Sequence, residues 1–248
     1  MSPTASRLPE GHVHVFFYDA DADGLDAVQW ARLRGWLQPD ELQRFERFKN
    51  LESRASFLIG RGLARRVLAD LTGVPPEHWH FREGRNGRPE ISAPATTLEF
   101  NLAHSGGMVA CVVADRRDVG VDVEHLDRTR LLHDVAARTC APDELADIDA
   151  EPDDRRQQRF LIYWTLKEAY LKARGVGISV HLADVAFSLE GGTPKIALRG
   201  SMAGEDDRWL FGLAKPSDRH LLAVAADTRD GVTPTVTLLR VMAHHFVA

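Results

Sequence analysis

The chain has 248 residues, 44% hydrophobic and 27% charged, a balance that excludes a disordered or low-complexity protein and supports a sizeable core. Its net charge of −5 argues against a broad nucleic-acid-binding face while leaving room for a local basic pocket. Two cysteines, an N-terminus without an apolar signal region and no apolar run of membrane-spanning length give the expectation of a reduced, soluble, cytoplasmic protein with no membrane or nucleic-acid partner.

Residues 12–18, His-Val-His-Val-Phe-Phe-Tyr, alternate and then turn apolar, the pattern of a strand entering a core. The turn at 19–26 resembles a calcium loop only superficially, because no bidentate glutamate follows at the required position. Pro39-Asp40-Glu41 signals a helix start. Phe45, Phe48, Leu58, Ile59, Leu63, Val67 and Leu71 then give the buried face of two helices broken near Asn50 and ended by Gly73 and Pro75-Pro76. Residues 79–81, the Gly84-Arg-Asn-Gly-Arg-Pro89 turn and Glu90-Ile91 read as a hairpin. Residues 98–102, 108–114 and 119–124 are further strands, the first followed by His104-Ser-Gly-Gly107.

The second half repeats this order. A helix at 155–174 answers that at 54–71, residues 185–196 answer the hairpin at 79–91, and strands at 209–213 and 221–226 answer 98–102 and 108–114. Two copies of helix, hairpin, strand, strand predict an α+β fold: a pseudo-twofold arrangement of two similar α/β subdomains, residues 1–117 and 118–248, sharing an interface in one compact unit. The Arg-, Asp- and Glu-rich stretch at 143–156 reads as solvated loop or helix surface.

The helix that runs from Phe160 to Arg174 carries Trp164, Glu168 and Lys172 at four-residue intervals, on one face. Alone, this is a half-buried helix with an ordinary Glu168–Lys172 pair. In Val121-Asp122-Val123-Glu124, alternation turns both carboxylates to one face, which is either a solvent-exposed strand edge or a buried site that needs a cation. With Glu168 they make a hard-oxygen set suited to Mg²⁺. Arg44, Arg61, Arg65, Arg85, Arg88, His104 and Lys172 stand at helix faces, turns and strand ends and suit phosphate oxygens, though each alone is an ordinary surface charge. The backbone amides of His104-Ser-Gly-Gly107 suit the close approach of an anion. A metal site among cations points to phosphoryl chemistry on a polyphosphorylated substrate. Neither Cys111 nor Cys140 has the context of a nucleophile, and His12, His14, His78, His80, His244 and His245 lack metal-ligand spacing and read as surface residues.

Gly120-Val-Asp-Val-Glu124 followed by Trp164-x-x-Lys-Glu-Ala-x-x-Lys172 resembles the 4′-phosphopantetheinyl transferases. Gly60-Arg-x-x-x-Arg65, Gly87-Arg-Pro89 and Phe100-Asn-Leu-Ala-His-Ser105 are similar to that family's elements in the same order, so the resemblance spans roughly residues 38–225. The length and the apparent duplication resemble the long, monomeric Sfp-like branch. The resemblance implies an enzyme of the holo-[acyl-carrier-protein] synthase type. It would move the 4′-phosphopantetheine arm of coenzyme A to a serine of an apo acyl or peptidyl carrier protein and release adenosine 3′,5′-bisphosphate, as polyketide or non-ribosomal peptide biosynthesis requires. It implies Asp122, Glu124 and Glu168 as Mg²⁺ ligands, and Glu168 and Lys172 as catalytic residues, with Glu168 the base directly or through a metal-bound water. It implies Arg44, Arg85, Arg88, Asn101, His104 and Lys172 as coenzyme A contacts. Arg88 replaces a common lysine and keeps its charge, Ala103 replaces a phosphate-contacting serine, and Lys167 has the weaker claim of a structural residue. The rival readings are a Mg²⁺-dependent nucleotide pyrophosphatase and a non-catalytic coenzyme A-binding protein. The active site is expected where the halves join, with Asp122 and Glu124 ending the first and Glu168 and Lys172 opening the second, in a monomer.

Overall fold

In the computed structural model of the chain the described residues are 7–127, 132–177, 180–228 and 231–247, and the side chains of Arg85, Leu132, His133, Asp134 and Ser201 lie outside that description. The chain divides into two units, Met1–Arg116 with Thr235–Ala248, and Arg117–Pro234. The first holds β1 (His12–Asp19), α1 (Ala27–Gly35), α2 (Pro39–Arg47), α3 (Leu51–Thr72), the hairpin β2 (His80–Glu83) and β3 (Pro89–Ala93), then β4 (Leu98–Ser105) and β5 (Met108–Asp115). The second holds β6 (Val119–His125), α4 (Leu132–Thr139), α5 (Pro142–Ala150), α6 (Asp153–Arg174), the hairpin β7 (Val185–Ser188) and β8 (Lys195–Leu198), then β9 (Trp209–Ser217) and β10 (His220–Asp227). Element follows element in the same order in both units, and the sheets match too: β1-β5-β4 in one, β6-β10-β9 in the other.

The last strand, β11 (Thr235–Arg240), pairs parallel with β1 and makes the first sheet four-stranded. The expected boundary of 118–248 is therefore corrected: the C-terminal segment belongs to the first unit, because β1 has an open edge that the returning strand covers.

Each unit is built on a long helix laid against its sheet. Asn50 caps α3 by accepting from the Ser53 amide at 2.9 Å, and Gly73, at φ 78, ends it in the left-handed conformation. Its apolar face, Leu58, Ile59, Leu63, Val67 and Leu68, packs with Phe100, Val109, Cys111 and Val113. Burying each such large side chain contributes about 1.5–3 kcal/mol, and Leu63→Ala would cost about 2–5 kcal/mol through the cavity it leaves. The helix α6 ends the same way at Gly175, and Tyr163, Leu166, Tyr170 and Leu171 fill the second core with Phe187, Phe211, Leu221 and Ala223.

Three local expectations differ from the structure. The sequence pattern predicts no helix before Pro39, yet α1 is there, opened by a capping box in which Asp26 and Gln29 bond each other's amides. Only Gln29 and Leu33 are buried along α1, so its sequence lacks an apolar stripe. His104 and Ser105 do not follow a strand; they end β4, opposite Val109 and Met108. Gly106 and Gly107 form the two-residue hairpin turn, at φ 50 and 82, rather than an amide cradle. The acidic stretch after Pro142 is not all solvated, because Glu144 is 1% exposed.

Candidate active site

Strand β6 and helix α6, both in the second unit, bring the chemistry together. Asp122 and Glu124 alternate with valines, so both leave β6 on the face packed by α6, and both are buried. The strand and helix approach closely at Gly120. A Cβ there would lie inside contact distance of the Ala169 carbonyl and the Ala173 amide, backbone atoms that cannot swing aside. From α6, the Trp164 indole Nε1 donates to Glu124 Oε1 at 2.9 Å, and Lys172 Nζ donates to Asp122 Oδ1 at 2.6 Å. Glu168 lies between them on the same helix face, one turn from each.

The electrostatics are those of an overcharged carboxylate cluster. Burial pushes Asp122 up to about 7, Lys172 opposes this, and Glu124 and Glu168 add to it. Burial also raises Glu168, again against Lys172 and with Glu124. Among the described residues, Asp122 Oδ2 and Glu168 Oε1 are buried without a hydrogen-bond partner. A buried carboxylate oxygen left so is costly and calls for a cation or a proton. The donor chemistry, hard oxygens of Asp122, Glu124 and Glu168, fits Mg²⁺. Among the described residues no three His, Cys, Asp or Glu side chains are gathered tightly enough to hold a metal as they stand. Trp164 and Lys172 occupy Glu124 Oε1 and Asp122 Oδ1, and among the described residues Asp122 Oδ2 and Glu168 Oε1 stay unpartnered.

The expectation that Asp122 and Glu124 end one half while Glu168 and Lys172 open the other is corrected: all four belong to the second unit. The candidate coenzyme A contacts Arg44, Arg85, Arg88, Asn101 and His104 belong to the first. Arg44, on α2, is half-exposed, 3.5 Å from Glu83 and above the Phe57 ring. Arg88 precedes β3 and donates to the Phe100 carbonyl at 2.9 Å. Asn101 is buried on β4, opposite Val112, and His104 is exposed near the end of the same strand. The Arg85 side chain lies outside the described residues. Arg61 and Arg65, also read as phosphate cations, are instead buried against one carboxylate, Glu41, at 3.1 and 2.5 Å. That one carboxylate offsets one of the two positive charges, Arg65 is shielded from solvent altogether, and Arg61 Nη1 is buried without a hydrogen-bond partner among the described residues.

Three residues escaped assignment from sequence. The spacing puts Trp164 on the Glu168 face without a role, and its indole donor two turns from Lys172 is the signal for one. Gly120 entered only as a motif letter. Glu144 falls in the stretch that reads as surface, although Pro142-Asp-Glu-Leu145 repeats Pro39-Asp-Glu-Leu42. Lys167 sits wholly buried on Glu144 Oε2 at 2.7 Å, away from the carboxylate cluster.

A family model described as 4′-phosphopantetheinyl transferase superfamily matches residues 118–225, and one described as 4′-phosphopantetheinyl transferase, N-terminal, matches residues 26–116. The chain is 39% identical over 195 residues to the 4′-phosphopantetheinyl transferase HetI of Nostoc, covering 78% of this chain and 79% of that one. It is 29% identical over 166 residues to a 4′-phosphopantetheinyl transferase of Bacillus subtilis, covering 67% and 72%. Among solved structures, the holo-[acyl-carrier-protein] synthase of Thermotoga maritima matches at 25% identity and TM-score 0.38, over 44% of this chain and 62% of that one.

Proposed function

The chain belongs to the 4′-phosphopantetheinyl transferase superfamily, and from that premise we propose how its own residues carry the reaction. It is an enzyme that transfers phosphopantetheine to carrier proteins, with coenzyme A as co-substrate. The bond that forms joins a carrier serine oxygen to the β-phosphorus, and the bond that breaks releases adenosine 3′,5′-bisphosphate. Asp122, Glu124 and Glu168 would hold Mg²⁺, which would supply a Lewis acid for the charge that builds on the pyrophosphate oxygens. The unpartnered buried oxygens of Asp122 and Glu168 are the observation that supports this.

Lys172 keeps a positive charge beside Asp122 and turns it to the pyrophosphate when substrate binds. Glu168 takes the serine proton as general base. Trp164 fixes Glu124 by its indole bond. Arg44, Arg85, Arg88, Asn101 and His104 contact coenzyme A. The metal carboxylates come from one unit of one chain, which supports a working monomer. Two buried, unpaired cysteines, with no described helix long and apolar enough to cross a membrane, support a cytoplasmic site of action.

Incubation with coenzyme A, Mg²⁺ and a panel of apo-carriers, followed by intact mass, tests the reading. Holo-carrier formed only with Mg²⁺ is expected. Phosphopantetheine released with no carrier present would instead identify a pyrophosphatase, and no turnover with any carrier a binding protein.

A further inference from the structure

Helix α6 carries two polar stripes. One, Trp164, Glu168 and Lys172, faces β6 and its carboxylates. The other, Arg159, Tyr163 and Lys167, faces α5, and each member is tied there. Arg159 bonds Glu151, Tyr163 Oη donates to Asp147 Oδ2 at 2.6 Å, and Lys167 pairs with Glu144. Successive helix residues point about 100° apart, so a grip on Lys167 also fixes the direction in which Glu168 leaves the helix.

That grip is complete. Lys167 is 1% exposed, and its Nζ has three acceptors, as many as an ammonium has protons: Glu144 Oε2 at 2.7 Å, Val185 O at 2.6 Å and Leu182 O at 3.0 Å. Glu144 is equally engaged. Its Oε2 also accepts the Ala141 amide that opens α5, at 2.7 Å, and its Oε1 accepts the Phe187 amide of β7, at 2.8 Å. One ion pair therefore fastens α6 to the start of α5 and to β7.

The first unit contains the same device. Glu41 of Pro39-Asp-Glu-Leu42 accepts the Gln38 amide that opens α2 and holds Arg65 of α3. Both long helices have 22 residues and end at a left-handed glycine, so Arg65 stands where Lys167 stands in α6. Arg66, which corresponds to Glu168, spends its charge on Asp70 instead.

We infer that Glu144 and Lys167 are positioning residues for transfer: their buried pair sets the rotation of α6 and so aims Glu168 and Lys172 at the β6 carboxylates. This rests on the proposed role of Glu168. Replacing both members together avoids leaving an uncompensated buried charge, and kcat per folded molecule separates aim from stability. The test is therefore Glu144→Leu with Lys167→Met, compared with Lys167→Arg, which copies the first unit, and with Glu168→Gln as control.

The double variant should fold but melt below the parent, because the Ala141 and Phe187 amides and the Leu182 and Val185 carbonyls lose their side-chain partners. Its kcat should fall by about tenfold or more with a smaller change in the KM for coenzyme A, and its half-saturating Mg²⁺ should rise. In the metal-free protein, the indole N–H resonance of Trp164 should shift, because its bond to Glu124 depends on the same rotation. Lys167→Arg should retain kcat within about threefold of parent. A folded double variant with parental kcat, Mg²⁺ dependence and Trp164 resonance overturns the inference. If the double variant does not fold, Lys167→Gln replaces it, and a folded Lys167→Gln with parental kcat overturns the inference equally. Glu168→Gln that keeps full activity would instead refute the proposed site, a separable failure.

Discussion

Removing the negative charge from Asp122 should strengthen the metal-free fold while ending transfer. The Asp122 carboxyl is 6% exposed and pushed from 3.8 to about 7, so folding favours its neutral form. The sign follows: the stability it confers is fully present below ~4, falls as pH rises, and is gone once pH passes about 7. At about 1.4 kcal/mol per pH unit, a shift of roughly three units sets an upper limit of about 4 kcal/mol on the cost of the charged form. Asp122→Asn avoids that cost but keeps a polar amide in the site and deprives Lys172 of its partner. Lys172 is 29% exposed and recovers water, so the net gain should be about 1–2 kcal/mol. For a chain of this size that raises the melting temperature by roughly 2–8 °C. Melts in EDTA at about pH 5 and about pH 8 check it: the parent should lose stability between them, and the variant should lose less. Mg²⁺ should restore the parent at the higher pH and leave Asp122→Asn unchanged. A parent that gains stability with pH in EDTA, together with a variant that melts lower at the higher pH, would refute the electrostatic account.

Other perturbations probe the neighbouring contacts. Gly120→Ala should force α6 off β6 at a cost of about 1–3 kcal/mol or more and depress kcat beyond the loss of folded protein, checked by denaturant unfolding and kinetics. Trp164→Phe should keep the packing but free Glu124 Oε1, raising the Mg²⁺ needed for half-maximal rate with little change in melting temperature. Arg88→Ala and His104→Ala should each weaken coenzyme A binding by about 1–3 kcal/mol in titration calorimetry, and dephospho-coenzyme A should erase the effect of whichever residue meets the 3′-phosphate. Gel filtration with activity followed across dilution should show constant specific activity at monomer size.

The sequence carried the strands, the two long helices and their repeated order because each element has a strong period and a glycine or proline boundary. It carried the carboxylate cluster because Asp122 and Glu124 share a strand face and Glu168 a helix face with Trp164 and Lys172, facts of spacing alone. What it hid was partnership across sequence distance. Glu41 and Glu144 look like ordinary first-turn acids, and only the fold shows that Arg65 and Lys167 cover them. Helix α1 was hidden because its start signal, Asp26 with Gln29, precedes no apolar stripe. The return of β11 to β1 depends on which sheet edge is open, which no local pattern encodes.

Aligning the units at their hairpins shows what converts one copy of this scaffold into a site. Val109 and Leu221 each follow the first residue paired across their hairpin, so Tyr18, opposite Val109, corresponds to Glu124, opposite Leu221. Two residues earlier, Phe16 corresponds to Asp122, opposite Cys111 and Ala223 respectively. In the first unit the seam between strand and helix is filled by aromatic rings, Tyr18 wholly buried in the core with α3, and Gly62 stands where α6 has Trp164. Room for a tryptophan there is taken by Leu33, against which even a Cβ on Gly62 would collide. In the second unit the same seam holds three carboxylates, an indole donor and an ammonium. Burying them costs stability that the aromatic seam does not lose. The buried Glu–cation anchor recurs in both units, so it is a property of the scaffold. The carboxylates occur in one, and it is there that holding α6 at a fixed rotation acquires a chemical consequence.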